Sequence, residues 1–113
     1  MSSLFTKIIN REIPADIVYE DNEIIAFNDI CPQAPVHILI VPKKEIKTLN
    51  DLNSDDQKII GKLFLTVKKL AKKHKIDQTG YRTIFNCNED GGQTVFHIHL
   101  HLLGGRKLDW PPG

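Results

Sequence analysis

The sequence predicts an α+β domain: an antiparallel sheet of about five strands with one short and one long helix. Three observations predict it. Apolar runs of strand length recur along the chain, one segment alone carries a long helical repeat, and no strand–helix–strand alternation appears. The order helix, strands, helix, strands places the helices on one face of the sheet. The chain has 113 residues and no repeat, low-complexity tract or linker, so residues 1–113 read as a single domain.

Leu4, Ile8 and Ile9 fit helical spacing, with Ser2 or Ser3 as N-cap. This helix ends by Pro14, because the residue before a proline avoids the α region. Asp16 to Glu20 and Glu23 to Asn28 read as strands joined at Asp21-Asn22, which gives a hairpin. Pro32 and Pro35 exclude regular structure between them, and His37 to Val41 is an apolar strand closed by Pro42. Ser54-Asp55-Asp56-Gln57 matches a capping box. Ile59, Ile60, Leu63, Phe64, Val67, Leu70 and Ala71 then repeat at helical spacing to about His74. Gly61 in this helix suits close backbone approach. The helix either covers the sheet or forms a dimer surface, and the pattern fits both. Gly80 to Asn86 and Val95 to Leu103 complete the strands.

Net charge is +1 with histidine neutral, which argues against bulk electrostatic partners such as nucleic acid or an anionic membrane. No apolar run is long enough to span a bilayer, and the first residues lead into an amphipathic pattern rather than a signal peptide. Cys31 and Cys87 lack a disulfide framework, so a reducing, cytoplasmic setting is expected.

The chemistry concentrates in His97-Ile98-His99-Leu100-His101-Leu102-Leu103. On a strand, residues two apart share a face, so the three imidazoles line one side and Ile98, Leu100 and Leu102 the other. Packing alone does not call for three stacked imidazoles, each of which needs a hydrogen-bond partner when buried. As a metal site, a His-x-His pair plus His37 could hold zinc, but there is no CxxC pair or HExxH helix. As a phosphate site, one imidazole acts as nucleophile and its neighbours stabilise charge. Gly91-Gly92-Gln93-Thr94 fits this second use, offering backbone N–H groups and a hydroxyl to phosphate oxygens.

Gly91 to Leu103 resembles the histidine-triad signature, His-x-His-x-His-x-x with x apolar. Asp29-Ile30-Cys31-Pro32-Gln33-Ala34-Pro35-Val36-His37 and Val41-Pro42-Lys43-Lys44 resemble the same family's upstream block. Leu103-Gly104-Gly105-Arg106 and Trp110-Pro111-Pro112-Gly113 are similar to its histidine triad nucleotide-binding (HINT) branch. The resemblance runs over essentially the whole chain. It implies a HIT-like fold, a homodimer with a continuous sheet, and hydrolysis of purine nucleoside phosphoramidates of the AMP or GMP type, with no cofactor required. By this resemblance His99 is the nucleophile, oriented by the carbonyl of His97. His101 and Thr94 contact the phosphate and leaving group, and His37 supports the array. Asp29 holds the ribose hydroxyls; Phe5, Ile8, Phe27 and Ile30 wall the base. Asn86 sits by the phosphate, and Trp110 lies near the leaving group, reaching across the dimer. The branch usually has serine at the position of Thr94, where the hydroxyl survives but the methyl narrows the space. It commonly has serine at Cys31 and threonine at Val36. Three rivals remain beside this reading: a dinucleoside polyphosphate hydrolase, a nucleotide-responsive interaction module, and a zinc protein.

Read without the family, several of these residues are ordinary. His37 alone is a hydrogen-bonded core residue, Asp29 caps a turn, and Phe5, Ile8 and Phe27 are core. His74 is a solvent-facing helix end, and the lysines at 68, 69, 72, 73 and 75 are a solvated helix terminus.

Overall fold

A computed structural model describes residues 3–113. Ser2, one of the two candidate caps, lies outside the described residues. Ser3 caps the first helix, α1 (Leu4–Ile9), by accepting a hydrogen bond from the Thr6 N–H. Strands β1 (Ile17–Glu20) and β2 (Ile24–Asn28) form the expected hairpin. The Asp21 carboxylate makes the turn by accepting from the backbone of Glu23 and Ile24. Strand β3 (Val36–Pro42), helix α2 (Gln57–Lys73), and strands β4 (Tyr81–Ile84) and β5 (Leu100–Gly104) follow. All pairings are antiparallel, in the order β1-β2-β3-β5-β4. Among the described residues β4 pairs with β5 alone, which leaves its other edge free.

The helices do not share a face as the element order suggested. Ile24, Ala26, Ile38, Ile40, Leu100 and Leu102 pack against Leu63, Val67, Leu70 and Ala71 of α2. The alternate residues Ile25, Phe27, Leu39 and Val41 pack against Phe5 and Ile8 of α1. Continuous apolar runs in β2 and β3 are the trace of this arrangement, since a strand covered on both sides has no polar face.

Other local expectations shift. The capping box sits one residue earlier than expected. Asn53 accepts from Asp55 N, and the Asp56 carboxylate accepts from Asn53 N, so a short 3₁₀ turn over Ser54–Asp56 leads into α2. A carboxylate satisfies the orphan N–H as well as glutamine does, and the nearby cation of Lys44 holds it at 2.6 Å. Gly61 has open space where a Cβ would stand, so it serves no close approach within the chain. His74 ends α2 half-buried rather than facing solvent, with Nε2 enclosed and without a partner among the described residues. The ladder of β5 begins only at Leu100, and that of β4 stops at Ile84. Residues 95–99 approach the sheet without pairing along it, because Ile98 N donates instead to Ile46 O.

Candidate active site

The register of β3 and β5 sets His37 opposite Leu103 and Leu39 opposite His101. Directly opposite residues share a face, so His37, Leu39 and His101 all stand on the α1 side. Phe5 of α1 meets His99 edge to face at 4.8 Å between ring centroids, and meets Phe27 at 5.4 Å. The three imidazoles of the array therefore lie on one side as the alternation required, although His97 and His99 precede the ladder.

Hydrogen bonds fix which nitrogen of each ring carries the proton. The carbonyl of His97 can only accept, so His99 Nδ1 donates to it at 2.8 Å. His99 Nε2 then carries a lone pair and has no hydrogen-bond partner among the described residues. Gln33 N–H donates to His37 Nδ1 at 3.0 Å, which places the His37 proton on Nε2. That proton is given to His101 Nδ1 at 3.0 Å, with an Asp29 carboxylate oxygen 3.4 Å away. His101 must therefore hold its proton on Nε2, and this N–H is buried without a partner among the described residues. Arg106 steadies the start of the chain by donating twice to Gln33 O. The result is a lone pair on His99 beside an unpaired N–H on His101, with ring centroids 4.9 Å apart. Such a pair can attack an electrophile and give a hydrogen bond to its oxygen.

Burial keeps these rings neutral. It lowers His37, His97 and His99 from the ordinary histidine value, against smaller upward pulls from Asp29 and from the carbonyls of Pro42 and His97. His101 is pushed down to about 4, first by burial and then by the neighbouring His99 and His37. A neutral imidazole keeps its lone pair at neutral pH, which is what a nucleophilic ring nitrogen needs.

A cavity of about 340 Å³ opens on this pair. Phe5, Ile8, Phe27, Asp29, Ile30, Thr94, His99 and His101 line it, together with Leu39 and the Ile13-Pro14-Ala15 turn. Apolar walls at one end, a carboxylate and two imidazoles elsewhere make it a pocket for an amphipathic molecule. Ile30 is 94% exposed at its lip. His97 does not line the cavity. Its ring is fully buried, and it reaches the site through its carbonyl alone. Asn86 and Trp110 line a second, larger groove that shares His101 with the cavity and also contains His37 and Arg82. Trp110 is 81% exposed there, so its own chain gives it little cover.

Asp29, His37 and His101 also bring ligand-type atoms within 4.8 Å of one another. These residues do not fit a metal well as they stand. Both nitrogens of His37 are engaged, one by Gln33 and one by His101, and a cation would have to displace that shared proton.

Sequence reasoning missed Leu39, Gln33, Pro42 and one role of Ser3. Leu39 was legible by parity with His37. Gln33 and Pro42 act through backbone atoms, which their side chains do not advertise.

Together these features define a class: a small antiparallel α+β protein whose sheet presents paired, neutral imidazoles to a compact pocket. Residues 10–108 match the model of the HIT domain, and the chain belongs to the HIT family, in its histidine triad nucleotide-binding branch. It is 51% identical over 106 residues to the purine nucleoside phosphoramidase of Escherichia coli K12, covering 94% of this chain and 89% of that protein. It is 55% identical over 111 residues to an uncharacterized HIT-like protein of Synechococcus elongatus, covering 98% and 96%. Among solved structures, a HIT family hydrolase from Legionella pneumophila superposes with a TM-score of 0.98 at 54% identity, covering 99% of this chain and 100% of that one. A histidine triad nucleotide-binding protein from Candida albicans gives 0.83 at 33% identity, covering 97% and 83%.

Proposed function

We propose that the protein hydrolyses purine nucleoside 5′-phosphoramidates to the nucleoside monophosphate and an amine. The observation that carries this reading is the lone pair on His99 Nε2, aimed at a cavity by the His97 carbonyl. The likeness to a purine nucleoside phosphoramidase names the substrate class. His99 Nε2 attacks phosphorus, the P–N bond breaks, and the bridging nitrogen takes up a proton as the amine leaves. Water then opens the nucleotidyl-histidine, releases the monophosphate and returns a proton, so the cycle balances. The His101 N–H and the Thr94 hydroxyl hold the phosphoryl oxygens, and the His97 carbonyl stabilises the cationic His99 adduct. Asp29 accepts from the ribose hydroxyls, while Phe5, Ile8, Phe27 and Ile30 enclose the base. Asn86 and Trp110 belong to the leaving-group side, in the groove beyond His101. The Thr94 methyl narrows the approach of bulky amines.

The chain works as one HIT domain over 1–113 and as a homodimer. Phe64, Leu65 and Tyr81 are exposed apolar residues; Tyr81 lies on β4 itself, and Phe64 of α2 meets Phe85 just past its end. Joining two β4 edges would extend the sheet, cover this patch and bring the partner's tail toward the groove. Both cysteines are free thiols, which fits the cytoplasm. Among the described residues no helix is long and apolar enough to cross a membrane.

The test is hydrolysis of adenosine 5′-phosphoramidate by chelator-treated protein, with mass spectrometry at neutral pH for the covalent intermediate. Turnover with an adduct on His99 is expected. Faster turnover of diadenosine polyphosphate would move the chain to the polyphosphate hydrolases. Nucleotide binding without turnover would leave the interaction module, and activity restored only by zinc would overturn the metal-free reading. A Leu65→Glu variant should sediment as a monomer.

A further inference from the structure

We infer that Ser3 is a positioning residue, whose hydroxyl proton fixes the His97 ring and so couples the wall of the pocket to His99. This rests on the hydrolase reading above. The nearest description of Ser3 is a helix cap: its Oγ accepts from Thr6 N at 3.0 Å. The same Oγ lies 3.1 Å from His97 Nδ1, across 94 residues of sequence. The direction of that bond follows from the far side of the ring. His97 Nε2 is 2.7 Å from the Pro42 carbonyl, which only accepts, so the proton sits on Nε2. Burial keeps the ring neutral. Nδ1 therefore offers a lone pair, and Ser3 must donate to it. Thr6 Oγ1 stands 3.1 Å from the serine oxygen and has the Glu45 carboxylate as an acceptor for its own proton at 3.5 Å. One hydroxyl thus gives its proton to His97 and a lone pair to the Thr6 N–H of α1.

Two consequences meet at His99. The His97 residue whose carbonyl orients the nucleophile is held at both ring nitrogens, by Pro42 and by Ser3. The helix that Ser3 caps carries Phe5, whose ring lies against His99 at 4.8 Å and against His97 at 6.1 Å. A loose Ser3 frees the ring that anchors the nucleophile and the aromatic wall together.

A cap and a proton donor can be separated by substitution. Aspartate caps a helix as well as serine but has no proton to give at neutral pH. Ser3→Asp should keep the wild-type melting temperature or nearly so, yet lower kcat/KM on adenosine 5′-phosphoramidate on the order of ten-fold, in kcat as well as KM. Ser3→Ala should lose both activity and helix stability, and Ser3→Thr should restore both. Nitrogen-15 spectra of the imidazoles give the direct readout: the His97 Nδ1 resonance should move in the Asp and Ala variants and return in the Thr variant. An Asp variant with wild-type kinetics and an unmoved His97 resonance overturns the proposal and leaves Ser3 a cap. If the wild-type protein cleaves no phosphoramidate, the hydrolase reading fails by itself. The Ser3 role is then decided by the His97 resonance and by AMP affinity, which should fall in the Asp variant.

Discussion

The two faces of one sheet obey different rules. On the α2 face, Leu100 and Leu102 of β5 join an apolar cluster with Ile38, Ile40, Leu63 and Leu70, nearly all of it sealed from solvent. On the α1 face, one residue along, stand His99 and His101, with a cavity where the packing would otherwise close. The backbone is shared, and the pleat alone separates a stability surface from a chemical one. The long helix is committed to the former. Its six-residue counterpart leaves room on the other side, and covers only part of the strands it meets. A pocket survives because the short helix cannot fill that face.

Adjacent residues should therefore fail in opposite ways. His99→Asn should lower kcat by about 10³-fold or more, with AMP binding and thermal unfolding close to wild type. Leu100→Ala, one position on, should cost roughly 2–5 kcal/mol in denaturant unfolding while the folded fraction keeps its kcat. A catalytic loss in the leucine variant comparable to that of the histidine variant would break the comparison.

His37→Ala sharpens the same contrast within the imidazole face. It removes the donor that keeps the His101 proton on Nε2, so the buried N–H loses its assignment. A fall in kcat of about 10- to 100-fold is expected, with the Nδ1-protonated form of His101 appearing in nitrogen-15 spectra.

Acid should also act through the histidine face. His37, His97, His99 and His101 are all lowered on folding, so below about 6.5, the ordinary histidine value, the unfolded chain binds more protons than the folded one. Stability is complete above that pH and is lost as the pH falls toward about 4, where His101 protonates. Urea midpoints measured from pH 7 to pH 4 should decline across this window. A His37→Gln, His101→Gln double variant should decline less, and an unchanged slope would assign the acid sensitivity to the carboxylates instead.

The smallest effect belongs to the entry of α2. Asn53→Ala removes the side-chain cap of the 3₁₀ turn and should cost about 1 kcal/mol, with kcat unchanged.

Much of this contrast was legible beforehand. The hairpin over β1 and β2 followed from a turn pair between two apolar runs, and α2 from a sustained helical repeat. The continuous apolar stretches of β2 and β3 also carried the message that both faces are covered. The element order by itself points the other way, to helices on one side, because it carries no information on which face each helix crosses. The capping box moved because a 3₁₀ turn consumed the residues assigned to the helix, and caps compete locally at a cost of about 1 kcal/mol. Of the residues that the family resemblance assigned to the pocket, Phe5, Ile8, Phe27, Asp29, Ile30, Thr94, His99 and His101 do line one cavity. Asn86 and Trp110 line the groove next to it.

By itself the sequence determined what backbone sterics determine. Side chains alternate at period two, so His97, His99 and His101 had to share a side, and the α2 repeat had to give one buried stripe. It could not determine the state of each ring. Proton positions depend on Pro42, Gln33 and Ser3, groups brought to the imidazoles by chain closure over 55, four and 94 residues. Two of those three partners are backbone atoms that every residue type carries. The His99 tautomer is set locally, by the carbonyl two residues before it; for His97 and His101 only the tertiary structure decided which nitrogen keeps a lone pair, because their partners are near in space and far in sequence.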